Sequence, residues 1–207
     1  YPAVEYRCLQ ASSYNRESVA PRGSDGWFAD SDGVGFIREE SRGFRREWVV
    51  MEHEGPGCVT KMWTPYFYYD LKNHRGPKVR IYLDGAKEPV IEEYFIELLT
   101  RGDFKNAPDK KNDLRPPLPF ASYTARAGDL YLPIPFAKHC KITLDEKPFY
   151  NIINYRAYPP HTPVRAWTRE DYDAACDLLT STGALLTSPP APAGTETVLS
   201  QTFASGE

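Results

Sequence analysis

The stretch Phe44-Arg-Arg-Glu-Trp-Val-Val-Met-Glu-His-Glu-Gly-Pro-Gly-Cys-Val-Thr-Lys-Met-Trp63 decides the fold class. Two runs, Phe44 to Glu54 and Cys58 to Tyr69, are rich in Val, Trp, Phe and Tyr and read as β-strands, because branched and aromatic side chains suit a pleated, half-buried surface. Gly55-Pro56-Gly57 forces a sharp turn between them, giving either a hairpin-like pair or a strand that crosses from one sheet to another. Downstream, Val79 to Leu83 alternates with a period near two, and Asp84-Gly85 supplies the positive-φ turn that returns Glu88 to Tyr94 beside it. Leu130 to Phe136 and Lys138 to Leu144 extend the series. Pro133 and Pro135 confine the first of these to an edge or a bulge, since proline cannot donate to a central ladder. Phe149 to Tyr158 closes a β-sandwich.

Composition agrees with that reading. With 14% aromatic residues, 19 Pro and 14 Gly in 207 residues, the chain suits many short strands joined by turns and not a helical bundle. A net charge of -3 exerts no long-range pull on nucleic acid or an anionic membrane surface, so neither is an expected partner. No apolar run reaches the roughly 18 to 20 residues that span a bilayer. The sequence opens at Tyr1 without Met, which leaves two readings open, a removed export signal or a sequence begun at this residue; an extracellular or periplasmic protein is the expectation. Cys8, Cys58, Cys140 and Cys176 lie far apart without CxxC spacing and read as buried thiols, with one structural disulfide as the alternative. His53, His74, His139 and His161 are isolated from one another, so no metal is expected, and neither a Gly-x-Ser-x-Gly elbow nor a phosphate loop points to a cofactor or a serine nucleophile.

Between the strands, Ala11 to Tyr14 reads as polar loop, and the Gly-, Pro- and Asp-rich stretch Pro21 to Gly35 as a flexible loop bearing Trp27 and Phe28. Phe95 to Leu99 is a single helical turn, and Arg101 to Pro119 an exposed insertion. Thr168 to Leu179 is the one convincing helix, with Thr168 as N-cap, early acids, and apolar Tyr172, Ala175, Cys176 and Leu179. Thr187 to Thr197 is a Pro- and Gly-rich linker.

Candidate neighbouring acids for paired general acid/base work are Glu39-Glu40, Glu92-Glu93 and the Glu52/Glu54 pair. Glu39-Glu40 and Glu92-Glu93 are adjacent and point to opposite strand faces. Glu52 and Glu54 share a face, at a spacing that permits an acid/base pair, or are solvated acids flanking His53.

Four segments together carry a family resemblance: Ala11-Ser-Ser-Tyr-Asn-Arg16, the Gly55 to Trp63 run, Val79-Arg-Ile-Tyr-Leu-Asp-Gly85 and Asn151-Ile-Ile-Asn-Tyr-Arg156. Their order and spacing resemble the first half of domain-of-unknown-function family 2961, whose members are classified as glycoside hydrolase family 172. The resemblance implies an all-β, antiparallel jelly-roll β-sandwich over residues 1–160, then one C-terminal helix and a Pro-rich connector over 161–207 leading toward a second jelly roll. It further implies a retaining hydrolase of α-furanosides, such as fructofuranosides or arabinofuranosides, in which the second roll supplies the catalytic carboxylates. On that basis no catalytic residue is expected in this chain, which alone would be inactive. Carbohydrate is the expected partner, and a homo-oligomer, a trimer or a multiple of one, the expected assembly.

Residues that match the family's motifs become substrate-binding candidates. They are Ser12, Ser13, Tyr14, Asn15 and Arg16, where Asn15 stands in place of the family's usual Asp, together with Trp63, Asn154 and Arg156. Each has a structural alternative: a buried network bracing the loop, an aromatic core residue, or an interface between two rolls. The alternative function is a non-catalytic jelly roll, either a capsid- or filament-like assembly protein or a carbohydrate-binding module.

Overall fold

The computed structural model describes residues 5–16, 33–65, 76–100, 114–191 and 194. In chain order the elements are β1 (Arg7–Ser12), β2 (Arg38–Arg42), β3 (Arg45–Glu54), β4 (Gly57–Pro65), β5 (Lys78–Leu83), β6 (Ile91–Tyr94) and α1 (Phe95–Thr100). There follow β7 (Ala121–Thr124), β8 (Ala127–Leu130), β9 (Ile134–Phe136), β10 (His139–Leu144), β11 (Ile152–Ala157), α2 (Arg169–Ala174) and α3 (Cys176–Thr187). A six-stranded sheet runs β1-β11-β4-β8-β7, with β9 also on β4, and a five-stranded sheet runs β2-β3-β10-β5-β6. Setting aside β2, β7 and β9, the orders β1-β11-β4-β8 and β3-β10-β5-β6 are those of a jelly roll, first strand beside last and every pairing antiparallel.

The Gly55-Pro56-Gly57 turn is therefore a crossing between sheets and not a hairpin. Gly55, at φ 101, donates its N–H to the Lys138 carbonyl at 2.7 Å, and the Pro56 carbonyl accepts from Tyr158 N–H at 3.0 Å. At Gly57 a Cβ would lie 2.4 Å from Phe136 Cζ and 2.6 Å from the Arg156 carbonyl oxygen. Only glycine lets the chain pass this corner.

Inward side chains follow the strand alternation. Met51, Ile81, Cys140, Ile142 and Leu144 of one sheet face Val59, Met62, Leu130, Ile134, Phe136 and Ile153 of the other, all with at most 1% of their surface exposed. Burying each large apolar side chain contributes about 1.5–3 kcal/mol, which here holds the two sheets face to face. Every residue of α1 is buried, and the helix packs against β7 and β8.

The β5–β6 hairpin forms with Asp84 at φ 55 and Gly85 at φ 82, Ala86 N–H bonding the Leu83 carbonyl at 2.9 Å. Its return strand starts at Ile91, later than expected, because Ala86 to Val90 stay outside the ladder. Asp84 does a second job that its place in a turn did not announce: its carboxylate accepts the N–H groups of Ala137, Lys138 and His139 at 2.6–3.2 Å, tying this turn to the entry of β10.

Several expectations change. Arg7 to Ser12, read in part as loop, is an edge strand, because β11 offers it a continuous ladder from Arg7 opposite Ala157 to Ser12 opposite Ile152. The single strand expected over Leu130 to Phe136 is broken around Pro133 into β8 and β9, which pair with different halves of β4. Pro135 sits on β9, where its missing donor costs no central bond and its carbonyl accepts Trp167 N–H at 2.8 Å. Within the insertion expected to be exposed, Leu114 and Pro116 are buried, Leu114 against the core. The expected helix starts as read, with the Thr168 hydroxyl accepting Asp171 N–H at 3.1 Å, but breaks at Ala175 and resumes as α3 to Thr187. All four cysteines are free: Cys58 and Cys140 are buried, Cys176 half-buried and Cys8 exposed. Trp27, Phe28 and Tyr66 to Tyr69 lie outside the described residues.

Gly57→Ala should destabilise the domain by about 2–3 kcal/mol through overpacking at the corner. Urea unfolding should show a lower midpoint at unchanged m-value; an unchanged midpoint would mean that the corner is not tightly packed.

Candidate functional site

The outward face of the six-stranded sheet collects polar and aromatic side chains in rows set by the strand register. One row runs Ser12, Ile152, Trp63, Asp129, Ser122, and the next contains Gln10, Asn154 and Lys61. A third holds Cys8, Arg156 and Cys58. The positions between these rows, Ala11, Ile153, Met62, Leu130 and Ala121, point into the core. Ser12, Trp63 and the β11 pair Asn154 and Arg156, from three segments far apart in sequence, thus share one surface, with Trp63 and Arg156 at opposite ends of these rows.

Around Trp63 the polar groups are organised, with Lys61 and Trp63 half-buried and Asp129 buried beside them. Lys61 Nζ lies 3.4 Å from Asp129 Oδ1 and 5.3 Å from the centre of the Tyr131 ring, and Thr124 donates to Asp129 Oδ2 at 2.9 Å. Burial alone would lower the Lys61 pKa, but its contacts with Tyr131 and Asp129 outweigh burial and raise it, so the ammonium stays charged. Asn154 donates to Gln10 Oε1 at 3.2 Å.

The Ser12 to Arg16 segment divides in its orientation. Ser13 is buried: its Oγ accepts Asn151 N–H at 3.0 Å, while its carbonyl accepts Gly33 and Gly35 N–H at 2.7 and 3.2 Å. Asn15 is also buried. Tyr14 is exposed, with the Arg16 guanidinium 4.8 Å above its ring, and Arg16 Nη2 donates to the Ser12 carbonyl at 3.5 Å. Arg16 Nη1 and Asn151 Oδ1 are buried without a hydrogen-bond partner.

The outer face of the five-stranded sheet is chemically closed. Arg38 bonds both Glu40, at 2.6 Å, and Glu52, at 3.0 Å, and Glu52 also meets His139 Nε2 at 3.2 Å. Lys141 bonds Glu40 at 2.6 Å. Glu47, fully buried and not singled out from sequence, accepts Tyr82 Oη at 2.9 Å and Thr143 Oγ1 at 2.7 Å, with Arg80 Nη1 3.8 Å away. No local signal marks Glu47, because its partners Tyr82 and Thr143 come from other strands. The Arg38 hydrogen bond holds the Glu52 carboxyl below its usual range, and Arg80 does the same for Glu92. At Glu40 burial pushes the pKa up, but Lys141 and Arg38 prevail and lower it. Glu54 is largely exposed and 3.6 Å from His139. A carboxyl held as an anion is poorly suited to donate a proton, and Glu52 is already engaged by Arg38 and His139 on the sheet that does not carry Trp63.

Cavities lined by described residues include one beside the helices and two clefts at Tyr6 and Tyr158. A 290 Å³ apolar one, lined by Leu132, Pro133, Trp167, Tyr172 and Leu179, sits between α2, α3 and the sheet edge. Trp167 Nε1 is buried there without a partner, and burial pushes the Tyr172 phenol up to about 12. Two further clefts, of 550 and 430 Å³, adjoin at Tyr6 and Tyr158. Among the described residues no cluster of His, Cys, Asp and Glu could hold a metal ion.

A jelly-roll sandwich with one outer face locked in ion pairs and the other presenting accessible aromatic and polar groups is a module of the kind found in carbohydrate-active proteins. The chain belongs to glycoside hydrolase family 172: residues 4–175 match the model of the GH172 first beta-sandwich domain. Comparison with curated proteins found no match.

The depressed carboxylates set the acid limit of stability. Their stabilisation is present above the unfolded carboxylate pKa and is lost as pH falls through the lower folded values. The melting temperature should hold from pH 7 to 5 and fall below about pH 4. Arg38→Gln should lower it more at pH 7 than at pH 3; equal losses at both would show that the ion pairs do not carry the acid limb.

Proposed function

We propose that this chain is the sugar-positioning sandwich of an exported glycoside hydrolase that cleaves α-linked furanosides, such as fructofuranosides or arabinofuranosides, with retention. The row containing Trp63, Asp129 and Ser12, with Lys61 and Asn154 beside it, is the observation that carries this reading. The Trp63 indole would stack on the apolar face of the sugar, while Lys61, Asp129 and Asn154 exchange hydrogen bonds with its hydroxyls. Catalysis falls to a carboxylate nucleophile and a carboxylic acid outside this sandwich, because the ion-paired acids of the five-stranded sheet are held as anions away from Trp63. The sandwich contributes orientation, which keeps the anomeric carbon in line with groups from elsewhere in the assembly.

Trp63→Ala should weaken binding of an α-arabinofuranosyl or α-fructofuranosyl oligosaccharide about three- to tenfold, read by tryptophan fluorescence or calorimetry. If the full polypeptide neither binds nor hydrolyses any α-furanoside, the reading is overturned.

A second reading, an assembly module, draws on α3. Leu178, Leu185 and Leu186 are each about 60% exposed or more, and Gly183 of the same helix packs against Leu118 and Pro119. The 178/185 spacing is one heptad, which suits contact between copies in a trimer or a multiple of one. Leu185→Glu should shift an oligomer toward monomer in light scattering. A wild-type monomer at all concentrations would remove this reading.

A further inference from the structure

The two adjoining clefts hold chemistry that a neutral furanose does not need. Their shared wall is Tyr6 and Tyr158, whose rings meet edge-on at 6.5 Å between centroids. Arg156 sits over Tyr6, its Cζ 4.5 Å from the ring centre, and among the described residues its N–H groups have no hydrogen-bond partner. Arg156 is exposed and makes no ion pair among the described residues. Arg7 lines the larger cleft, and its positive charge reaches inward far enough to help lower the His53 pKa, after burial. Arg165, on the rim of the smaller cleft, is already paired with Asp171 at 2.6 Å, and Glu5 is the one acid lining either cleft.

The remaining walls of the smaller cleft are mostly apolar, Cys58, Pro135, Pro163 and Val164, with Thr162 beside them. A compact inorganic anion would meet the guanidinium and leave those walls unused. A sugar ring carrying a carboxylate would use both, its C–H face against Tyr6, Tyr158 and the prolines, its planar carboxylate across the Arg156 fork. The clefts' volumes, 430 and 550 Å³, fall in the usual range for small-ligand sites. Arg156 stands four residues along β11 from Ile152, the neighbour of Trp63, or about 13 Å at about 3.3 Å per residue. That is far enough for one oligosaccharide to occupy both places with different sugars.

We propose that the Tyr6–Tyr158–Arg156 cleft is a second carbohydrate subsite, selective for a uronic acid residue of an acidic oligosaccharide. The proposal deepens the carbohydrate reading above and rests on it, but concerns a cleft at the other end of the sheet face from Trp63. Arg7 adds favourable charge at the cleft's mouth, and Arg156 supplies the directional contact.

Calorimetry on the full chain with a galacturonic acid trisaccharide, against its carboxyl-reduced neutral counterpart, tests it. The acidic sugar should bind at least about tenfold more tightly, the range expected of one charge-assisted bidentate contact. Arg156→Gln should abolish that preference, and Arg156→Lys should restore only part of it, because an ammonium keeps charge without the fork. The exposed position of Arg156 predicts an unchanged melting temperature in both variants, which separates lost binding from lost folding. Equal affinity for the two trisaccharides, an Arg156→Gln protein that keeps the preference, or sulfate competing as well as the acidic sugar would each overturn the proposal. Acid preference without any α-furanoside binding would overturn the reading at Trp63 and leave the subsite standing.

Discussion

The corner at Gly55-Pro56-Gly57 is the constraint on which the rest of the structure depends. There β3 leaves the five-stranded sheet and β4 enters the six-stranded one, within a space that Phe136 and the Arg156 carbonyl fill completely against a glycine. Because strand side chains alternate, a one-residue shift at this point would turn Met62 outward and Trp63 into the core. The corner therefore sets which side of β4 meets the other sheet, and with it the row that places Trp63 beside Ser12 and Asp129.

The two outer faces of the sandwich have opposite chemistry. On the five-stranded sheet, cations and carboxylates pair with one another, down to a Glu47 with no exposed surface, though Arg80 Nη1 has no hydrogen-bond partner, and such a network braces the sheet. On the six-stranded sheet the aromatics are half-open and Arg156 stacks without an acid beside it. The second face is the more open of the two: among the described residues its polar contacts are fewer, as in Lys61 with Asp129 and Asn154 with Gln10, and Arg156 makes no ion pair. Family membership makes this sandwich the first β-sandwich domain of a glycoside hydrolase family, and the proposed sugar site lies on the more open of its two faces.

Much of the architecture could be read from local chemistry. Proline confined β9 to its edge, Asp84-Gly85 made the hairpin, and Thr168 began the helix, since each acts through its own backbone or its near neighbours. The motif around Ser12 to Arg16 was visible, yet its division into buried Ser13 and Asn15 and exposed Tyr14 was not, because that depends on Asn151, well over a hundred residues away. The same holds for β1, which is a strand only because β11 lies beside it, and for Leu114, which is buried by a core its own neighbours do not announce.

By itself the sequence determined the strand-rich class, the turns, the helix start and a family resemblance spread over four motifs, because periodicity, glycine and proline act locally. The tertiary structure alone decided that the glycine turn is a sheet crossing, that Glu47 and Glu52 are held in networks, and that Trp63, Lys61, Asp129, Asn154 and Arg156 share a face. Those outcomes rest on register between strands distant in the chain, and register is settled by the packing of two sheets and not by any segment alone.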